Sequence, residues 1–371
     1  MKTDSSVRSV IAASLLPRLN STLCLPLVER CGGIEGFFQE SETALQQLYR
    51  EFNISTQLFD RSQALNQAVA ELEQIDRHNI RICSIEDDLY PALLKQCEDV
   101  PLVFFYKGNI GIPENTKCLA VVGTRHSSAR CQNRVDAVLS ELCTLGCRPI
   151  VISGLAYGID ASAHRASLKY RLQTFAVLGH GLHMIYPASH KTLARSILEA
   201  GGALISEFPC TSVTHPGNFL KRNRIIAGLS HATLVAESAE KGGAMSTATQ
   251  ALSYNRDVMA FAGRPDDKYS AGCNRLIKEN IAALVDNGLD VARILNYPIP
   301  SQTTGQTTLN LFPHDDNARL VLSLLEEKGD IGIDELSLMS CIPQGELSAL
   351  LLELELEQKV LALPGKRYAI Q

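Results

Sequence analysis

The stretch "FLKRNRIIAGLS" (219–230) places three cations, Lys221, Arg222 and Arg224, within four positions at the head of an apolar run. A helix starting here would bury Ile225, Ile226 and Leu229 and leave the cations in its first turn. That end of a helix already carries partial positive charge, so the arrangement is unfavourable unless an anion sits there. Arginine suits such an anion, because its planar fork of donors matches phosphate oxygens. Two further cations share the pattern: Arg125 follows one apolar run in "GTR", and Lys191 opens a helical stretch after another. Four glycine-rich segments accompany them: "GTRHSS" with Gly123, "SGLAYGID" with Gly154 and Gly158, "GHGLHMIYP", and "EKGGAMST" with Gly242 and Gly243. Backbone that must approach a ligand closely needs glycine, and a following helix aims free N–H groups at an anion. A pocket for phosphate groups is the expected chemistry.

Other chemistries fit poorly. There is no GxxxxGK[ST], so a P-loop is excluded, and "GHGLHM" lacks the third glycine of a dinucleotide fingerprint. No GxSxG occurs, and Ser153 and Ser246 have no evident base. The nine histidines show no metal-ligand spacing. Asp160 and His164, four apart, read as a helix-start acid and a structural or ligand-orienting histidine. No cofactor and no metal are expected.

The elements that would position these residues alternate. "CLAVVG", "PIVISG", "TFAVLG", "GALISE", "TLVAES" and "VMAFAG" have strand character, and helical stretches lie between them. Strand alternating with helix over about 117–295 predicts a doubly wound, Rossmann-like parallel sheet, whose strand-end loops share one edge and form a crevice. Residues 1–80 read as a small helical domain, and "YPALLKQCEDVPLVFFYKGN" as a connection ending in a short strand that opens the domain 81–295. Residues 296–314 read as a polar linker. In 315–371, three helical stretches and a hairpin around a Pro-Gly turn predict a winged helix.

The chain has 371 residues, 45% of them hydrophobic and 20% charged, enough for a sizeable core in two or three domains. No run approaches a membrane span. The eleven cysteines have no CxxC pair and read as reduced thiols, which with the lack of a secretory signal points to the cytoplasm. Net charge is −5, but 315–371 hold eleven acidic against five basic residues, a net −6, leaving +1 for residues 1–314. The helix in "PQGELSALLLELELEQ" carries four glutamates and no cation, so it is expected to pack or to bind protein rather than phosphate.

In order and spacing, "VVGTRHSS", "ISGLAYGIDASAH", "AVLGHGLHMIYP", "LISEFP", "FLKRNRIIAGLS", "GGAMSTATQAL" and "AGCNRLI" resemble the DNA-processing protein A (DprA/Smf) family. The resemblance implies an extended Rossmann domain, an N-terminal domain like a sterile alpha motif, and a C-terminal winged helix. It implies a cytoplasmic homodimer that binds single-stranded DNA and loads RecA recombinase during natural transformation. Carried over residue by residue, Arg125 and the run Arg222, Asn223, Arg224 are phosphate-contacting positions, and Phe219 is a base-stacking candidate. Gly123, Gly154, Gly158, Lys191, Lys221, Gly242, Gly243 and Thr247 complete the expected DNA-binding set. Two positions depart from the family pattern: His190 replaces the usual Asn, and Leu220 the usual Pro. Leu276, Ile277, Ile281 and Leu284, read as one helical stripe, are the expected dimer interface. The alternative is an enzyme, since "GGAMSTATQ" also resembles the PGGxGTxxE motif of nucleoside monophosphate phosphoribohydrolases. There Gln250 falls at the catalytic Glu, and an amide cannot serve as a carboxylate.

Overall fold

The computed structural model describes residues 4–16, 19, 25–54, 59–298, 316–357, 359–363 and 365–370. The chain divides into two units, Met1–Ile299 and Pro300–Gln371.

In the first unit, the six apolar runs form strands β3 (Cys118–Gly123), β4 (Ile150–Ser153), β5 (Thr174–Val177), β6 (Ala203–Ser206), β7 (Ala232–Glu237) and β8 (Asp257–Ala260). Nearly every residue in them is buried, as a parallel sheet covered on both faces requires. Preceding them are β1 (Arg81–Ser84) and β2 (Val103–Gly108), and β9 (Ala283–Leu284) comes after. The order is β1-β2-β6-β5-β4-β3-β7-β8-β9, with β1 and β2 antiparallel and the rest parallel. The sheet is therefore mixed, not purely parallel. The four-residue β1 is too short to show alternation in sequence. The chain runs outward from β3 to β6 and then returns to lay β7 against β3. Those two strands flank the topological switch point, where crevices open in such sheets.

Alternation along the strands divides the side chains between faces. Leu119 and Val121 of β3 join one core cluster, and Ala120 and Val122 another. Helices α7 (Ala129–Thr144), α8 (Ile159–Lys169) and α13 (Gly288–Ile294) cover the first face. On the opposite face lie α10 (Pro216–Gly228), α11 (Gly243–Ser253) and α12 (Ala271–Lys278). The N-terminal helices α1 (Asp4–Leu15), α2 (Leu25–Arg30), α3 (Ile34–Gln39), α4 (Glu42–Glu51) and α5 (Arg61–Arg77) share a core with Val103, Phe105 and Leu204 of the sheet. Glu71 of α5, fully buried, accepts the backbone N–H groups of Cys210 and Thr211 at 2.6 and 2.9 Å. Two short helices, α6 (Ala92–Lys95) and α9 (Lys191–Glu199), complete this unit.

The stripe read as one helix at 276–284 is divided. α12 ends at Lys278, Asn280 turns through a left-handed conformation (φ 54°), and Ala283–Leu284 pair with β8. Leu276 lies in the core, Ile277 and Ile281 pack partly against it, and Leu284 is exposed on the edge strand.

In the second unit, α14 (Asp316–Lys328), α15 (Ile333–Ser340) and α16 (Gln344–Leu356) pack around Val321, Leu336, Leu347, Leu351 and Val360. A small sheet joins β10 (Ile331–Gly332), β12 (Arg367–Ile370) and β11 (Val360–Leu363), giving the expected winged helix. Of the expected linker, residues 299–314 lie outside the described residues. The ten described cysteines are free thiols, and no described helix is long and apolar enough to cross a membrane.

Candidate nucleic-acid interface

The loops leaving β3 and β7 enclose a cavity of about 560 Å³ at the switch point. Its wall includes Gly123, Arg125, Asp160, Phe219, Arg222, Asn223, Lys241, Gly242, Gly243, Thr247 and Lys268. The β3 loop is held from below by Glu237, at the end of β7. Its carboxylate accepts the Ser128 backbone N–H at 2.8 Å and the Ser128 hydroxyl at 2.9 Å. On the other side, Asn223 Nδ2 donates to the Gly243 carbonyl at 3.2 Å and ties α10 to the start of α11.

Helix α10 corrects the expected position of the cations. It begins at Pro216, not beside Phe219, and His215 caps it by accepting the Gly217 N–H at 3.0 Å. The basic run therefore begins only in the second turn, and its members turn different ways. Lys221 lies outside the cavity lining, 3.8 Å from Glu207 and 5.7 Å from the Phe208 ring centroid. Arg224, 6% exposed, pairs with Glu207 through one terminal nitrogen and donates to the Asp99 carbonyl through the other. Its Nε is 3.9 Å from the Asp99 carboxylate, which also accepts from the Tyr254 hydroxyl. Arg224 is thus satisfied by protein. Lys191, exposed at the start of α9, is likewise outside the cavity.

Arg222 is the contrast. It is 4% exposed and donates to the Val177 carbonyl, its Nε is without a partner, and no described carboxylate lies within 4.0 Å. Burial pulls its pKa down to about 10, Asp160 opposes that, and Arg125 adds to it. The guanidinium lies against Gly154, where a Cβ would stand 2.0 Å from one terminal nitrogen. Gly158, at φ +77°, brings the start of α8 against the β3 loop, and a Cβ there would meet the Thr124 carbonyl oxygen at 2.2 Å. Asp160 accepts the Ala156 N–H at 3.2 Å, and burial raises its pKa.

Arg125 stands at the exposed rim with its guanidinium 5.5 Å from the Phe219 ring centroid. Phe219 in turn neighbours Tyr186 at 5.8 Å. Lys241 and Lys268, both exposed, complete a cationic mouth. Tyr186, Lys241, Lys268 and the brace Glu237 were not anticipated from sequence, although Lys241 directly precedes the Gly242–Gly243 pair. His164 is structural. Its Nδ1 meets the Thr174 hydroxyl at 2.7 Å, and burial, Arg222 and His190 hold its pKa down to about 3. His190 is buried with Nδ1 2.8 Å from the Leu155 carbonyl, and Leu220 is exposed on the cavity wall. Gln250 does not line the cavity.

The family model for DNA recombination-mediator protein A matches residues 81–296, and that for the DprA winged helix domain matches residues 306–366. Protein Smf of Escherichia coli is 34% identical over 308 residues, covering 81% of this chain and 80% of that one. The chain belongs to the DprA/Smf family. DNA processing protein DprA of Streptococcus pneumoniae is 38% identical over 208 residues, 56% of this chain and 72% of its own. The X-ray structure of the S. pneumoniae protein superposes with a TM-score of 0.63 at 29% identity, over 79% of this chain and 98% of that one. DNA processing protein A from Helicobacter pylori, described for its single-stranded DNA binding mode, shares the fold with a TM-score of 0.51 at 24% identity, over 59% of this chain and 97% of its own.

Proposed function

We propose that this DprA-family chain is a cytoplasmic recombination mediator that binds single-stranded DNA in the switch-point cavity. The observation that carries this reading is Arg222, a buried cation with no described carboxylate within 4.0 Å, set in the wall of a cavity with a cationic mouth. A buried charge is unfavourable unless it is paired, and a DNA phosphate supplies the missing partner. Arg125, Asn223, Lys241 and Lys268 surround the same phosphate path, the glycines let the strand come close, and Phe219 offers a ring to a base. The site works by binding rather than by bond cleavage. Gln250 cannot act as a carboxylate, so the phosphoribohydrolase reading is not favoured; release of free base from a nucleoside monophosphate would revive it.

In this reading the protein serves natural transformation, handing incoming strands to RecA. It acts as a homodimer in which Ile277, Ile281 and Leu284 meet a second copy near the β9 edge. Two cavities on one strand raise affinity through effective concentration. Titration with single-stranded and duplex DNA at two salt concentrations tests the binding claim. Preference for the single strand with a steep salt dependence is expected, and equal binding of duplex would reject it. Ile281→Glu should give a folded monomer with weaker DNA binding by light scattering and titration. A variant still dimeric at low micromolar concentration places the interface elsewhere. Acceleration of RecA filament assembly by the wild type is the matching test for loading.

A further inference from the structure

A second cavity, of about 290 Å³, adjoins the first and is lined by Arg125, Tyr186, Thr214, His215, Pro216 and Phe219. Arg125, Pro216 and Phe219 line the central cavity as well, so the Phe219 ring with Arg125 against it forms a partition between the two. The partition is fixed from behind. A Cβ at Gly179 would meet the Phe219 ring at 2.9 Å and its Cα at 3.1 Å, so the backbone there already touches it. Beyond the partition stands Tyr186, 49% exposed, its ring tilted 53° to that of Phe219. Donors lie beside it. His215 Nδ1 accepts the Gly217 N–H, which leaves Nε2 as the ring's N–H donor. Thr214 is exposed next to it, and none of the six lining residues is a carboxylate.

We propose that this second cavity is a nucleotide subsite. It takes the base next to the one in the central cavity, stacked on Tyr186, with the Phe219–Arg125 partition between consecutive bases. Stacking accepts any base, because every base has a π-face, so the subsite adds affinity without sequence preference. The His215 Nε2–H and the Thr214 hydroxyl meet the linking phosphate or a base edge. The inference rests on the single-strand reading of the central cavity, but it can fail by itself.

Abasic strands of about eight nucleotides, carrying no base, one thymine or two adjacent thymines, separate the two claims when titrated with the full chain. Wild type should bind the two-thymine strand about tenfold more tightly than the one-thymine strand. That ratio should fall to near one in Tyr186→Ala. In Thr214→Glu, which places an anion in the subsite without altering either ring, it should fall as well. Arg222→Ala should instead weaken even the strand with no bases. No preference for two bases in wild type, or a preference that persists in both subsite variants, overturns the subsite. If Arg222→Ala still weakens the base-free strand in that case, the central reading stands. An Arg222→Ala variant that binds every strand as wild type does overturns both.

Discussion

Arg222 and Arg224 stand two residues apart on one helix and are almost equally buried, yet they face opposite chemical surroundings. Around Arg224 the fold has assembled Glu207, the Asp99 carbonyl and the Asp99 carboxylate. Around Arg222 it offers one backbone carbonyl, the bare face of Gly154, buried Asp160 beyond ion-pair distance and an open cavity. The difference separates a cation paired within the protein from one that, in the proposed reading, is left for a ligand. Burial alone marks neither role; the absence of a paired carboxylate does.

Removing Arg224 should have the largest effect, and on stability. Arg224→Ala leaves buried Glu207 with only the half-exposed Lys221, 3.8 Å away, a loss of about 3–5 kcal/mol readable in urea unfolding. Arg222→Ala breaks no ion pair but removes the charge that most favours ionised Asp160, so it should cost less, about 1–3 kcal/mol. If the two variants lose equal stability, the distinction fails.

DNA affinity should respond the other way. Arg222→Ala is expected to weaken single-strand binding about 30-fold or more, the loss for a desolvated charge partner. A folded Arg224→Lys variant should bind nearly as wild type does in the same anisotropy titration.

A smaller effect comes from His164, whose pKa Arg222 helps to lower. Thr174 donates its own proton to the Val151 carbonyl at 2.7 Å, so it accepts from His164 Nδ1, and the ring stays neutral. With the folded value down to about 3, the unfolded state takes up the proton first as pH falls. Stability from this group is therefore complete above about pH 6.5 and declines below it, by at most about 1.4 kcal/mol per pH unit. Unfolding midpoints between pH 7 and 5 should show the decline, and His164→Gln should flatten it; an unchanged slope contradicts the assignment.

Arg125→Ala should give the smallest change. Arg125 is exposed at the rim, and its loss should reduce the log–log salt slope by about 0.7, one phosphate contact on a single strand. An unchanged slope removes it from the strand's path.

Much of this site was legible in the sequence, because glycine loops after apolar strands have a local cause. The alternation of strand and helix placed them on one edge, and Arg125, Arg222, Asn223, Phe219 and the Gly242–Gly243 pair do meet there. The division of labour between Arg222 and Arg224 was not legible. It depends on Asp99 and Glu207, which are 125 and 17 residues from Arg224 in sequence. The start of α10 had a local signal, since a proline at the first helical position after a capping residue is common, but the charged run drew the boundary inward. The stripe at 276–284 looked helical because its spacing is; Asn280 ends the helix, and pairing with β8 draws Ala283 and Leu284 into the sheet.

The central claim, that Arg222 is the buried cation reserved for a DNA phosphate, is tested most directly by the salt dependence of single-strand affinity in wild type, Arg222→Ala and Arg224→Lys. The account predicts that Arg222→Ala binds more weakly with a slope shallower by about 0.7, while Arg224→Lys keeps the wild-type slope. An Arg222→Ala variant with wild-type affinity and slope would contradict it.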